Sequence, residues 1–307
     1  MNNDVGPRLV VHADPRLATQ VGRLAGQRMV FVAGLPGTGK SLLVHQLAHV
    51  AGGAGRRVHL LQWDVARPVL EACSAGRRYP LADGVTHPVI RKAAGLWVRE
   101  ALVEWNGRWR EPEYLLVGET PFVGNRFSEL ACRLDDRAEA LLTAETCRFA
   151  VAVPSREVRR FLEAERERRA ARPLHPRERE DAPPHVLRDL WRDLAGIAHR
   201  LEVPAPPRAE RAGESDAPDR IVDDGSMPYD PVVYARLFQR MLRHRNAETL
   251  AHDVILPTET LSVYDFAVAA RDLVPAEAEA ESFIREVERR YPDPAALGAE
   301  IARWWQT

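Results

Sequence analysis

The chain has 307 residues, of which 45% are hydrophobic and 28% are charged, and its formal net charge is −1. This length suits one large domain or two smaller ones with a substantial core. No apolar run approaches the roughly 18 residues of a membrane span, and the first thirty residues lack a signal-peptide core. The three cysteines have no paired or metal-ligand spacing, so we expect no disulfide framework and no zinc site. These features predict a soluble cytoplasmic protein that does not coat nucleic acid.

Apolar runs alternate with segments of helical spacing through the first half of the chain. The runs predict strands at 28–33, 58–63, 114–118 and 147–153. Apolar residues at helical spacing predict helices at about 41–50, 87–105 and 128–142. This alternation predicts an α/β fold with a mostly parallel sheet between two helical layers. In such folds ligands bind outside the carboxyl ends of the strands.

The second half of the chain has a different character. Residues 155–200 are dense in charge, which favours a solvated or lid-like segment over a compact core helix. Residues 203–220, rich in Pro, Ala and charge, predict a linker or long loop. Residues 221–307 predict a mostly helical C-terminal extension, with one further strand at 252–256. Residues 1–202 would then form the main domain, with the lid at about 155–200.

The strongest motif is GLPGTGKS at residues 34–41, which matches the phosphate-binding pattern G-x-x-x-x-G-K-[ST], or Walker A, at every fixed position. In this pattern glycines let backbone amides point at phosphate oxygens, and the following helix adds its positive dipole end. Lys40, one of only two lysines, would contact the β- and γ-phosphates, and the Ser41 hydroxyl would coordinate Mg²⁺. The cofactors predicted are therefore ATP and Mg²⁺. The residues expected to bind the nucleotide are Gly34, Leu35, Pro36, Gly37, Thr38, Gly39, Lys40, Ser41 and Leu42.

Motifs typical of three other nucleotide-binding classes are missing or altered in the sequence, which disfavours those classes without eliminating them. The chain has no N-K-x-D motif for guanine and no LSGGQ-like segment of transport ATPases. Its third predicted strand ends in Gly118-Glu119-Thr120, where ring-forming ATPases usually carry Asp-Glu. These absences favour a different P-loop class.

The sequence resembles the P-loop kinases that phosphorylate small-molecule hydroxyls or nucleic-acid ends, a group that includes gluconate-kinase-like enzymes, polynucleotide kinases and zeta-toxin-like kinases. The resemblance rests on GLPGTGKS, on Asp64 after the second strand and on the Arg-rich segment after the fourth, and covers roughly residues 28–200. It implies a three-layer P-loop NTPase sandwich with an Arg-rich helical lid.

The resemblance also implies roles for two acids. Asp64 would be the general base for the acceptor hydroxyl, although an Asp at this place could instead cap the next helix. Glu119 would lie near Mg²⁺, directly or through water, and an alternative base or a substrate contact is also open. Arg67 and Arg126 are candidate substrate contacts, with Arg91 suited to the same anionic acceptor; the alternative is an ordinary surface or loop residue.

Lid arginines would stabilise the transferring phosphoryl group in such a kinase. The candidates are Arg156, Arg159, Arg160, Arg166 and Arg169. Arg159 and Arg166 share one helix face and are the pair expected to be catalytic. Because glutamates interleave, a salt-bridged, solvated helix is the alternative.

These observations predict an ATP- and Mg²⁺-dependent transferase that moves the γ-phosphate to a hydroxyl of a small-molecule or nucleotide-like acceptor. A nucleic-acid end is an alternative acceptor, and the oligomeric state is left open. The second hypothesis is a P-loop NTPase, or a nucleotide-dependent regulator, with residues 221–307 as a partner-binding module. A kinase would need an acceptor to release ADP, whereas a hydrolase would turn over with water alone.

Overall fold

The computed structural model describes residues 9–82, 84–203 and 228–307. The predicted linker at 203–220 therefore lies almost wholly outside the described residues. In the described ranges the strands are β1 (Met29–Ala33), β2 (Arg57–Gln62), β3 (Tyr114–Thr120), β4 (Cys147–Pro154), β5 (Ala247–His252) and β6 (Arg271–Asp272). The α-helices are α1 (Pro15–Ala25), α2 (Lys40–Gly53), α3 (Trp63–Ala72), α4 (Pro88–Arg108), α5 (Arg137–Leu142), α6 (Arg156–Ala171), α7 (Pro184–Arg200), α8 (Pro231–Met241), α9 (Glu277–Arg290) and α10 (Pro294–Ile301).

The six strands form one sheet in the order β5-β4-β1-β3-β2-β6, and every neighbouring pair is parallel. β1 lies between β3 and β4. The chain first forms β2 and β3 on one side of β1, and then crosses over to form β4 on the opposite side. The loop after β1 thus occupies the crevice where ligands bind in open parallel sheets. The predicted α/β fold with a parallel sheet is confirmed.

Side chains alternate between two buried layers. Phe31 and Phe149 stack on one face of the sheet and belong to a buried core that includes residues of α3 to α5 and α7 to α10. Val30 and Val32 face the other layer, which α1 and α2 cover. Gly118 in β3 leaves space for the Phe31 ring, because a Cβ at this position would lie 2.5 Å from Phe31 Cδ1. The sheet is therefore buried on both faces, as parallel sheets require.

The predicted helix at 128–142 is wrong. Only a single 3₁₀ turn at Ser128–Leu130 and the short α5 are helical there. The Arg99 side chain of α4 donates hydrogen bonds to the carbonyls of Glu129 and Cys132, at 2.7 and 3.2 Å, which diverts them from helix pairing. The Asp136 side chain then accepts from two amides and starts α5 at that point.

Two strand predictions are corrected at their ends. β2 stops at Gln62 and α3 begins at Trp63, so Asp64 lies in the first turn of a helix and not at a strand end. The last predicted strand was placed too late, because residues 247–252 pair with β4 from Phe149 to Pro154. β5 and β6 both come from the C-terminal extension, which therefore supplies the two edge strands of the main sheet as well as helices.

The charged segment 155–200 also differs from expectation. It folds into α6, a 3₁₀ turn and α7, and α7 buries one face in the core, including Leu187, Trp191 and Leu194. The expectation that this segment holds no core helix is thus wrong. No helix in the described part of the chain combines the length and apolar character needed to cross a bilayer.

Candidate functional site

The GLPGTGKS segment forms the connection between β1 and α2, at the carboxyl edge of the sheet. Gly34 and Gly37 have φ values of +145° and +74°, which side chains rarely adopt. Both also lie against other parts of the fold: a Cβ on Gly34 would be 2.6 Å from the Tyr234 hydroxyl, and one on Gly37 would be 2.7 Å from Leu187 Cδ1. The glycines thus permit both the turn and its close packing.

The amides of this loop are available to an anion. Among the described residues, the backbone N–H groups of residues 37–41 have no hydrogen-bond acceptor. The first internal bond of α2 runs from the Leu43 amide to the Gly39 carbonyl, at 3.1 Å. A row of free amides at a helix start attracts phosphate through its partial positive charge. These open amides are compatible with the predicted phosphate binding, which stays a prediction.

Groups from distant parts of the chain hold the loop in place. The Leu35 amide donates to the Tyr234 hydroxyl of α8 at 2.8 Å. Arg159 of α6 donates to the Pro36 and Gly37 carbonyls at 3.4 and 3.2 Å. Tyr234 is fully buried and Arg159 is 2% exposed, so both contacts are shielded from water.

Lys40, Ser41 and Glu119 form the charged centre of the site. The Lys40 ammonium is 4% exposed, donates to the Leu35 carbonyl at 2.9 Å and lies 3.7 Å from Glu119 Oε1. The Ser41 hydroxyl donates to the same carboxylate oxygen at 3.2 Å. Burial lowers the pKa of Lys40 and raises the pKa of Glu119, while their mutual attraction opposes both changes. Each partner thus favours the charged form of the other and limits the effect of burial.

The Ser41 and Glu119 oxygens fit Mg²⁺. They are hard oxygen ligands 3.2 Å apart beside a phosphate loop, and Mg²⁺ usually takes one or two protein oxygens and completes its shell with phosphate and water. No group of three or more His, Cys, Asp or Glu side chains in the described ranges is arranged to hold a metal by itself. Ser41 and Glu119 could thus supply two of the oxygen ligands of such a metal.

Asp64 projects into this site from the first turn of α3. It is exposed, and its charge acts on Lys40, Glu119 and Arg126. The N-cap of α3 is Gln62, with no capping side-chain bond, so Asp64 is not the helix cap. Within the described residues its carboxylate makes no hydrogen bond or ion pair, which leaves it available to an acceptor.

Arg126 and Arg67 lie near Asp64 but differ in their partners. Arg67 Nη1 donates to both carboxylate oxygens of Glu71, at 3.0 and 2.8 Å. Arg126 is half-buried, and within the described residues its guanidinium has no hydrogen bond or ion pair. Burial lowers the pKa of Arg126, Asp64 opposes this, and Arg67 adds to it. The structure therefore brings both predicted substrate residues to the site, with Arg126 the free one.

The lid arginines predicted to reach phosphate are bound elsewhere. Arg159 pairs with Glu163 at 2.6 Å and supports the outside of the phosphate loop. Arg166 pairs with Asp181. Arg156 binds Asp230 and Arg169 binds Glu178, and Arg160 also has a partner. In this structure α6 therefore presents a salt-bridged face, as the alternative expectation had it, and Arg159 holds the loop from behind.

Sequence reasoning missed three residues that contact the loop. Tyr234 and Leu187 contact it from α8 and α7, and the His252 ring at the end of β5 lies 3.5 Å from where a Cβ on Gly39 would be. Apolar periodicity predicts helix α8 but does not distinguish Tyr234 from its neighbours. A helical pattern cannot show which of its residues will contact a loop far away in the sequence.

No protein-family model matches the chain, and neither the curated proteins nor the solved structures give a match.

Proposed function

We propose that the protein is an ATP- and Mg²⁺-dependent phosphotransferase that moves the γ-phosphate to a hydroxyl of a small-molecule or nucleotide-like acceptor. One observation supports this most: Asp64, exposed and unpaired within the described residues, interacts through its charge with Lys40 and Glu119 beside the phosphate loop. A phosphate loop with an unengaged acid next to it is the arrangement that transfer to a hydroxyl needs.

The nucleotide would be held by the loop itself. Amides of residues 37–41 and the start of α2 would bind the phosphate oxygens, and Lys40 would leave the Leu35 carbonyl for the β- and γ-phosphates. Ser41 and Glu119 would hold the metal, which neutralises charge on the phosphates when bound.

Asp64 would act on the acceptor. Its carboxylate would orient the acceptor hydroxyl and accept its proton as the oxygen bonds to the γ-phosphorus and the bond to ADP breaks. The lid arginines are not needed for this description, because Lys40 and the helix start already place positive charge on the phosphates.

The test is nucleotide binding followed by turnover. ATP with Mg²⁺ is titrated into the wild type and Lys40→Met by calorimetry, with thermal unfolding as the check that the variant folds. We expect the variant to lose ATP binding, because it lacks the buried ammonium. Turnover of γ-labelled ATP is then measured with water alone and with a panel of hydroxyl compounds. Unchanged ATP affinity in the variant would refute the nucleotide site.

A second candidate is an NTPase that transmits nucleotide state to the extension. The contact that favours it is the hydrogen bond between Leu35 and Tyr234, since α8 belongs to residues 221–307 and touches the loop directly. Fast ATP turnover in water without any acceptor would favour this candidate over the transferase.

A further inference from the structure

Arg126 is fixed in place by an unusually tight loop. Residues 121–127 follow β3 at the carboxyl edge of the sheet, and Phe122, Gly124, Asn125 and Phe127 all have positive φ. The Phe122 and Arg126 backbones exchange hydrogen bonds of 3.0 and 3.2 Å. Strained backbone that the surroundings hold this firmly is concentrated at binding and catalytic sites. The loop therefore fixes the backbone from which the Arg126 side chain extends.

Arg91 supports the same loop from α4. Its Nη1 donates to the Gly124 carbonyl at 2.7 Å, and a Cβ on Gly124 would lie 3.4 Å from that nitrogen. Its Nε is buried and has no hydrogen-bond partner. Burial and the charge of Arg126 both lower the pKa of Arg91, so the two guanidinium groups are close enough to repel each other.

The charges of the site leave a positive excess at this point. Glu119 is paired with Lys40, and Glu71 is paired with Arg67. Among the described residues neither Arg91 nor Arg126 forms an ion pair, and Asp64 is the acid whose charge acts on Arg126. A half-buried guanidinium without a paired acid is costly, and an anion that arrives from outside would offset that cost.

We propose that Arg126, with Arg91 behind it, binds an oxyanion carried by the acceptor molecule, so that the acceptor is a hydroxyl compound with a phosphate or carboxylate group. The inference rests on the proposed function, because the acceptor hydroxyl must reach Asp64 next to this pair. A guanidinium binds either oxyanion through two parallel hydrogen bonds, which fixes the orientation of the molecule as well as its charge.

The first experiment measures anion binding without any transfer. Inorganic phosphate and, separately, acetate are titrated by calorimetry into Lys40→Met and into the double variant Lys40→Met/Arg126→Met, because the loop with Lys40 would itself bind phosphate in the wild type. We expect at least one anion to bind Lys40→Met and to lose about tenfold or more in affinity for the double variant. The anion that does so distinguishes a phosphate from a carboxylate acceptor. Equal anion binding by the two variants, or none by Lys40→Met, would overturn the inference.

Two controls make the result specific. Arg23→Met removes an equal charge from an exposed pair with Glu248 on the opposite layer, and should leave anion binding unchanged. Arg126→Met should keep its ATP affinity near that of the wild type. A loss of ATP affinity as large as the loss for the anion would assign Arg126 to the nucleotide and overturn the inference.

The second experiment measures transfer from γ-labelled ATP to matched pairs of hydroxyl compounds that differ only in an oxyanion group. We expect label on the anionic member of a pair and little on its neutral partner, with the preference lost in Arg126→Met. Equal labelling of both members overturns the inference and leaves the transferase intact. Absence of ATP binding instead refutes the proposed function, while the anion titration still reports on Arg126.

Discussion

The Tyr234 hydroxyl accepts a hydrogen bond from the Leu35 amide at 2.8 Å, across 199 residues of sequence. This bond links the C-terminal extension to the second residue of the GLPGTGKS segment. Because Tyr234 is fully buried, water cannot replace it as the acceptor. The loop conformation therefore depends on a helix that lies outside the segment resembling P-loop kinases.

Replacing this hydroxyl should weaken both the loop and the fold. Tyr234→Phe leaves the buried Leu35 amide without its acceptor, which costs about 1–3 kcal/mol of unfolding free energy. We expect ATP affinity to fall as well, since the loop loses a support. Chemical denaturation and ATP titration measure the two effects.

The matched control for this change is Tyr114→Phe. The Tyr114 hydroxyl accepts from Arg57 at 3.0 Å at the opposite edge of the sheet, so its loss should leave ATP affinity unchanged. If Tyr234→Phe binds ATP as tightly as the wild type, the hydroxyl does not shape the nucleotide site.

Asp64→Asn should reduce phosphoryl transfer without changing the stability of the fold. An amide keeps the shape of the side chain but cannot accept a proton, so transfer should fall about 10²–10⁴-fold while ATP affinity stays near that of the wild type. Because Asp64 does not cap α3, the melting temperature should hardly change. Acceptor-dependent ADP formation is measured on the same sample as ATP affinity. Near-normal turnover would move the role of base to Glu119.

Glu119→Gln should change how ATP binding depends on Mg²⁺. The charge that it removes lies beside the Ser41 hydroxyl and the Lys40 ammonium. We expect ATP without metal to bind as tightly or more tightly, because a negative charge near the phosphates is gone, while the gain from added Mg²⁺ shrinks. Calorimetry with and without Mg²⁺ tests this, with Glu248→Gln on the opposite layer as control. The same gain from Mg²⁺ as in the wild type would contradict a metal role for Glu119.

The stability of the protein should fall as pH drops below about 6.5, the usual pKa of histidine. His45 in α2 is 8% exposed, and burial, together with His49 and Arg177, lowers its pKa to about 4. Between these two values the unfolded chain binds a proton that the native protein does not, so acid favours unfolding.

The expected loss is on the order of 3 kcal/mol between pH 6.5 and 4, at about 1.4 kcal/mol for each unit of pKa. His45→Leu should make the pH dependence in that window shallower. Urea denaturation at a series of pH values measures it, and an unchanged slope in the variant would show that His45 does not carry this dependence.

The sequence by itself determined the local features of this protein. Apolar runs located β1, β3 and β4, because strands buried on both faces need continuous apolar sequence. The glycine spacing of residues 34–41 predicted the loop, because only glycine adopts its positive φ values without strain. The sequence also predicted that Asp64 and Arg126 lie near the carboxyl edge of the sheet, where residues that follow parallel strands converge on one crevice. The roles given to them stay predictions.

The tertiary structure decided what those local patterns could not. Arg99 reaches from α4 to the carbonyls after Ser128 and so ends a helix that apolar spacing alone favoured. Arg159 is bound to the outside of the loop and Tyr234 to its amide, because packing brings α6 and α8 there. A polar side chain can form its hydrogen bonds and ion pairs with water or with residues far away in the sequence. Only the folded structure shows which of these partners is close enough.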